Sequence, residues 1–283
     1  MRPRPPAERV RERLRAIAGD AAAQAMPRGY QRLGRVLLVR LPPELTRFGP
    51  AIGEAWHAEL GVETVLDHRG GIGGELREPQ VVRLRGSSAE TEVVEHGSRW
   101  RLDASRVMFA AGNRTERRRF AGQVRPGEEV ADLFAGIGYF TVPAARARPD
   151  ARFVAVEKNP VAFGYLEENL RLNGVGSRVT AVLGDNRLVP LERRRFDRVL
   201  LGYLPSSLPW LPRAVELLRP DGGALHVHLV AYAREAGPSA RTEVERELAR
   251  LGATTIAPSR VREVKPYGPG RTHVVVDATV RPP

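Results

Sequence analysis

Residues 131–140 read Ala-Asp-Leu-Phe-Ala-Gly-Ile-Gly-Tyr-Phe. An apolar run over 130–134 enters a turn holding Gly136 and Gly138, and a helix-like segment leaves it. Glycines there open backbone conformations closed to other residues and let a ligand approach the main chain. Glu157 stands twenty-one residues after Gly136, at the end of a second apolar run over 153–156. A carboxylate at that offset is where a doubly wound α/β domain holds ribose hydroxyls. Asp132 ahead of a turn with only two glycines fits an S-adenosylmethionine (SAM) loop better than the dinucleotide Gly-x-Gly-x-x-Gly pattern. A third strand ending in Gly184-Asp185-Asn186 strengthens that reading.

For these groups to meet, strands and helices must alternate. From about Ser105 onward they do: strands are expected at 130–134, 153–156, 179–183, 198–201 and 224–229, with a C-terminal pair near 259–264 and 272–278. Helices fall at about 139–147, 160–172, 211–218 and 240–251. Pro160 suits a first helical turn, and Asn173-Gly174 a helix stop. The fold class is α/β, a doubly wound, seven-stranded, Rossmann-like domain over 105–283 covered on both sheet faces. In such sheets the ligand lies outside the carboxyl ends of the strands, where strand order reverses. Glu157, Asp185 and Gly202 all follow strand ends, so one crevice should collect them. A small α+β domain is expected over 28–104. It has a β-like run at 34–41, a helix at 54–60 and short strands at 62–66, 81–84, 92–95 and 100–102, separated by turns such as Gly70-Gly71 and Gly73-Gly74. Residues 1–27 form a basic, Ala-rich helical segment.

The bulk numbers narrow the chemistry. The 283 residues are 28% charged and 42% hydrophobic, as for a globular protein. There are no cysteines, which excludes disulfides, thiolate metal sites and a cysteine nucleophile. No run of eighteen apolar residues suggests a membrane span, and no signal-peptide core follows the Arg-Pro-Arg-Pro-Pro start, so the expected location is cytoplasmic. No metal is expected. The net charge of +12 suits a phosphate backbone, with solubility alone as the plainer explanation. Of the 45 basic residues, 43 are arginine.

Three further blocks carry a resemblance: Met108-Phe109-Ala110-Ala111-Gly112-Asn113-Arg114-Thr115-Glu116-Arg117; Gly202-Tyr203-Leu204-Pro205-Ser206-Ser207; and Val264-Lys265-Pro266-Tyr267 with His273 and Asp277. With the glycine turn, they resemble the enzymes that modify position 37 of transfer RNA. One branch of those methylates N1 of guanine-37. The other, in wybutosine synthesis, moves the 3-amino-3-carboxypropyl group of SAM onto a tricyclic guanosine. The second branch matches better, since the first usually has an Asn-Leu-Pro sequence where this chain has Gly202-Tyr203-Leu204-Pro205.

The resemblance implies SAM contacts at Ala110, Arg117, Glu157, Asp185 and Asn186, beside Asp132, Gly136, Gly138 and Gly202. Ala110 replaces a usual serine and so lacks one hydrogen bond; Arg117 replaces a usual lysine with a planar fork. Glu157 should accept the ribose hydroxyls, or else cap the helix begun at Pro160. Asp185 and Asn186 should reach the adenine edge, or else form a turn that needs no ligand. Arg117 should clamp the SAM carboxylate or a nearby phosphate, or else be solvated. Asn113 closes a turn beside the methionine moiety or serves as a plain N-cap. His226 and His228, on one strand face, line a base pocket or are buried and hydrogen-bonded. No general base is identifiable. The partner implied is tRNA, gripped at its anticodon arm by the small module and the basic segment. Methylthioadenosine would be the leaving product. The rivals are an N1-methyltransferase and a non-catalytic RNA-binding protein that keeps a SAM fold, with transfer to a small amine a further possibility.

Overall fold

The protein, a computed structural model, is described over residues 4–283 and divides into units 1–109 and 110–283. The first holds helix α1 (Pro6–Ala25), strands β1 (Gln31–Leu33) and β2 (Val36–Val39), helix α2 (Gly49–Leu60), and strands β3 (Thr64–Gly73), β4 (Glu78–Arg85), β5 (Glu90–Glu95) and β6 (Ser98–Asp103). Strands β1 to β4 form a sheet in chain order, β2 and β3 parallel and the other neighbours antiparallel. Strands β5 and β6 make a separate hairpin. Val10 and Leu14 of α1 pack with Leu37, Ile52 and the fully buried Trp56. The Gly70-Gly71 pair, expected as a turn, lies inside β3. The strand runs on because Gly70 has no Cβ to strike the Gln80 side chain 2.0 Å away, and the β3–β4 register shifts between His68 and Ile72.

The second unit contains α3 (Arg114–Gln123), β7 (Glu129–Asp132), α4 (Thr141–Ala147), β8 (Arg152–Glu157), α5 (Pro160–Leu172), β9 (Val179–Leu183), β10 (Arg198–Leu201), α6 (Leu211–Leu217), β11 (Gly223–Tyr232), α7 (Ala236–Arg250), β12 (Thr254–Gly268) and β13 (Arg271–Arg281). Its seven strands lie in the order β12-β13-β11-β10-β7-β8-β9. The five from β7 to β11 are parallel, and β13 runs antiparallel between β11 and the edge strand β12. Order reverses between β7 and β10, which places a crevice over their carboxyl ends.

Both faces of this sheet are covered. Phe120, Val142, Ala145, Leu166 and Leu170 of α3, α4 and α5 pack on one, and Leu211, Ala214, Val244 and Leu248 of α6 and α7 on the other. Each side chain of that size taken from water contributes about 1.5–3 kcal/mol, so the sheet is a rigid platform for its loops. Helix α5 starts where its sequence says it must: the Asn159 carboxamide oxygen accepts from Val161 N (2.9 Å) and Ala162 N (3.3 Å), with Pro160 in the first turn. No described helix is long and apolar enough to cross a membrane.

Candidate cofactor site

The loops after β7, β8 and β9 are hydrogen-bonded to one another. Gly136 N donates to Glu157 Oε2 (2.7 Å), Gly184 N to the Glu157 carbonyl (2.9 Å), and the Asn186 carboxamide to the Leu133 carbonyl (2.8 Å). Gly202, the residue after β10, has the Phe134 carbonyl and the Phe140 ring 3.9 Å from where a Cβ would stand. Gly136, Glu157, Asn186 and Gly202 are thus drawn together at the carboxyl ends of the strands, with Asp132 beneath the glycine turn.

Asp132 is buried and receives Phe134 N (3.2 Å) and the Thr141 hydroxyl (2.8 Å). Burial pushes its carboxyl up to about 7, against those hydrogen bonds and with the Glu157 charge adding to the rise. Its work is to hold the glycine turn from below. Gly136 (φ 57°) and Gly138 (φ 96°) both need the left-handed region. A Cβ on Gly136 would stand 2.6 Å from the Tyr139 ring, and one on Gly138 would stand 2.7 Å from Val142 Cγ2. The turn is shaped to its neighbours as tightly as to any ligand.

Glu157 does partly what its plainer reading says: Oε1 accepts from Asn159 N (2.7 Å) ahead of α5. It also binds the glycine turn, so it ties two loops of the crevice together. Asp185 is held by Arg187 (Nε 2.9 Å, N 3.0 Å) and by Lys158 Nζ (3.1 Å). The Arg187 hydrogen bond, with Lys158 helping, keeps this carboxyl well below the usual carboxylate range. Asn186 is buried, its amide turned to Leu133, and its Oδ1 has no hydrogen-bond partner among the described residues. In this orientation its amide is taken up by the main chain and Oδ1 is left as an acceptor.

Ala110 and Arg117 meet beside the glycine turn. Arg117, only 2% exposed, donates Nη2 to the Ala110 carbonyl (2.5 Å), and its guanidinium carbon stands 5.1 Å from the Tyr139 ring centroid. Asn113 precedes α3, but its side chain makes no capping hydrogen bond.

The buried histidines divide. His226 is bonded on both nitrogens, to Asp277 (2.7 Å) and to Arg198 (2.6 Å), within a network that includes Glu128, Arg119 and Gln123. This is a structural role. His228 bonds His273 (3.0 Å) and stacks edge-on with Phe140, ring centroids 5.3 Å apart. Burial holds both members of that pair neutral, with His273 lowered to about 4.

Sequence reasoning passed over Lys158 as a partner of Asp185. The signal was in the composition: the chain has two lysines, Lys158 and Lys265, against 43 arginines. An Arg-rich α1 also reads differently in three dimensions. Arg9 and Arg13 both reach Glu59, and Arg11 donates to the Met26 carbonyl (3.0 Å), so these charges are engaged within their own unit.

The loops thus bring together a bare buried acceptor at Asn186, a carboxylate at Glu157, and a turn whose glycines admit close approach. Residues 91–251 match the family model described as the TRM5/TYW2 methyltransferase domain, and residues 10–89 match the TYW2 N-terminal domain.

The chain belongs to the TRM5/TYW2 family.

Among its relatives is a protein of Pyrococcus horikoshii named tRNA(Phe) (4-demethylwyosine(37)-C(7)) aminocarboxypropyltransferase, 35% identical over 272 residues and 96% of each chain. The crystal structure of P. horikoshii TYW2 in complex with MeSAdo superposes with a TM-score of 0.83 at 32% identity, covering 97% of this chain and 99% of that one. Trm5b from Pyrococcus abyssi shares the TRM5/TYW2 architecture at 26% identity and a TM-score of 0.77, over 91% of this chain and 76% of its own.

Proposed function

We propose that the protein transfers the 3-amino-3-carboxypropyl group of SAM to C7 of a tricyclic, wyosine-type guanosine at position 37 of tRNA(Phe), releasing methylthioadenosine. The observation that carries this reading is the match of both units, 10–89 to the TYW2 N-terminal domain and 96% of the chain to a named aminocarboxypropyltransferase. The crevice supports it. Glu157 is in place to accept ribose hydroxyls, and Asn186 Oδ1 and the Asp185 loop to receive the adenine edge. SAM supplies a sulfonium whose three carbons are each open to displacement. Which one reacts is a matter of presentation, and orientation alone is worth several powers of ten in rate.

In this reading Gly202 leaves open the space that an asparagine would fill in the N1-methylating branch. An amide there orients a ring nitrogen, which attack through a ring carbon does not require. Residues 28–104 and the basic segment 1–27 face the anticodon arm, 105–283 carries out the transfer, and the enzyme works in the cytoplasm with the tRNA pool. The target base leaves the anticodon stack to reach the crevice.

Parallel incubations with carboxyl-labelled and methyl-labelled SAM test the reading on tRNA(Phe) bearing the tricyclic base. The carboxyl label should enter the RNA and the methyl label should leave as methylthioadenosine. Entry of the methyl label alone would move the chain to the methyltransferase branch, and no binding of SAM would make it a non-catalytic RNA-binding protein.

A further inference from the structure

Tyr232, the last residue of β11, is 72% exposed, more than any other Phe, Tyr or Trp among the described residues. Its partner across the ladder is Arg271, the first residue of β13. The Arg271 guanidinium carbon stands 5.7 Å from the Tyr232 ring centroid, and Arg271 forms no ion pair among the described residues. An exposed contact of this kind contributes little to folding. Its place in the sheet is what gives it meaning. Alternation along β11 and β13 puts Tyr232 and Arg271 on the face that carries the bonded His228 and His273. They lie one pleat, about 7 Å, beyond the Val230–His273 pair, towards the carboxyl end of β11. Lys265 pairs with His273 on the other side, and its stem lies against Gly112, where a Cβ would stand 2.8 Å from Lys265 Cδ. Ala110 of the same turn accepts from Arg117, whose guanidinium lies over Tyr139 beside the glycine turn. The Tyr232–Arg271 pair is therefore on the rim of the crevice, one step outside its wall. Ala233 N donates to the Gly270 carbonyl (2.9 Å), which ties the end of β11 to the β12–β13 turn and fixes the rim. With Arg234 and Arg271 against Glu235, the stretches 232–235 and 266–272 keep a positive balance.

An open π-face with a guanidinium beside it suits an unpaired nucleotide, the base on the ring and the phosphate on the cation. The proposed reaction creates such nucleotides. A base drawn out of the anticodon stack strips each of its neighbours of a stacking surface. We propose that Tyr232 and Arg271 form a platform on which a nucleotide adjoining the target base stacks once that base has entered the crevice. This rests on the tRNA-modifying reading given above. The adenine of SAM is not the occupant, because the loop after β8 lies three strand spacings, about 14 Å, from β11. An acidic peptide would use Arg234 and Arg271 and leave the ring bare. A membrane surface needs a far wider apolar face than one tyrosine. By restoring a stacking surface to the neighbour, the platform lowers the cost of extruding the target base and holds the strand in register with the crevice.

Filter binding and steady-state kinetics with tRNA(Phe) test the platform. Tyr232→Ala should weaken tRNA binding about five- to a hundredfold, raise the KM for tRNA, and leave SAM affinity within about twofold. Tyr232→Phe, which keeps the ring, should stay within about twofold of the wild type. Arg271→Ala should weaken tRNA binding about fivefold and lower the salt slope by about one, which Tyr232→Ala should not do. An abasic nucleotide on the stacked side of position 37 should erase the difference between wild type and Tyr232→Ala, as a double-mutant cycle requires of groups in contact. Retained SAM binding is the check on folding. Unchanged tRNA affinity and KM in Tyr232→Ala would overturn the proposal. So would an equal loss in Tyr232→Phe, which would assign the effect to the hydroxyl, or a Tyr232→Ala loss that persists with abasic nucleotides on either side of the target. Wild-type protein that binds SAM but no tRNA(Phe) would instead remove the tRNA-modifying reading itself, a distinguishable failure.

Discussion

At the scale of single residues, the crevice is built from groups that serve the fold and the ligand together. Glu157 holds the glycine turn through Gly136 N and the start of α5 through Asn159 N. Glu157→Ala should therefore weaken SAM about tenfold or more in calorimetry, and should also lower the melting temperature by about 5–10 °C, since the loss of two hydrogen bonds to a charged acceptor is worth roughly 1.5–3 kcal/mol each. A variant that lost neither would show that the carboxylate holds neither loop nor ribose. The His228–His273 pair sets a second expectation. His273 is lowered to about 4 from 6.5 by burial and by Lys265, and His228 is lowered too, by burial and by His273. Between those two pH values the unfolded chain binds protons that the folded chain refuses, so this pair's stabilisation is full above 6.5 and is lost as the pH falls towards 4. Asp132, raised to about 7 by burial, contributes the opposite slope, which is why the measurement compares proteins and not pH values alone. His273→Asn should flatten the fall in unfolding free energy, from urea titrations between pH 6.5 and pH 4, by up to about 1.4 kcal/mol per pH unit. An unchanged slope would mean the imidazole takes up its proton while folded.

At the scale of elements, two glycines make opposite demands. Gly138 sits at φ 96° with Val142 2.7 Å and Leu166 3.2 Å from a would-be Cβ, so Gly138→Ala combines backbone strain with overpacking and should cost about 3 kcal/mol or more by denaturant unfolding. Gly202 has nothing nearer than 3.9 Å, so Gly202→Ala should stay within about 0.5 kcal/mol of the wild type. The first glycine is required by packing, and the second is free to be set by what the crevice admits. How far the sequence discloses these elements follows the same physics. Helix α5 is legible to its bounds because Pro160 and Asn173-Gly174 mark its two ends. The parallel strands are legible because burial on both faces leaves plain apolar runs. Helix α3 has no such run: beside Phe120 and Ala121 its buried positions include Glu116 and Arg117, and its contacts include ion pairs such as Arg119 with Glu116 and Asp277. Strand β12 extends over Thr254–Gly268, well beyond the expected 259–264, because an edge strand exposes most of its side chains and carries no alternation to count. Lys265 lies just past the expected strand, marked in the sequence only by the block Val264-Lys265-Pro266-Tyr267.

At the scale of the whole molecule, the charge of +12 is less free than it looks, since arginines such as Arg9, Arg13, Arg195 and Arg198 are engaged with Glu59, Glu129 and Glu128. The remaining excess is still large enough to make RNA binding electrostatic. Affinity for tRNA should fall at least about a hundredfold between roughly 50 and 200 mM salt, read by filter binding, while SAM affinity moves little because its contacts release few counterions. A flat salt response would contradict phosphate-led docking. The near-replacement of lysine by arginine carries one more consequence. Guanidinium groups ignore the acylating and reductive-methylating reagents that modify primary amines. With side-chain amines confined to Lys158 and Lys265, both beside the crevice, an ordinary amine reagent becomes a footprinting probe of this pocket, with the chain's α-amino group as its internal standard. Protection of two peptides, followed by mass spectrometry as adenosyl ligand is titrated in, would report occupancy on the unaltered enzyme.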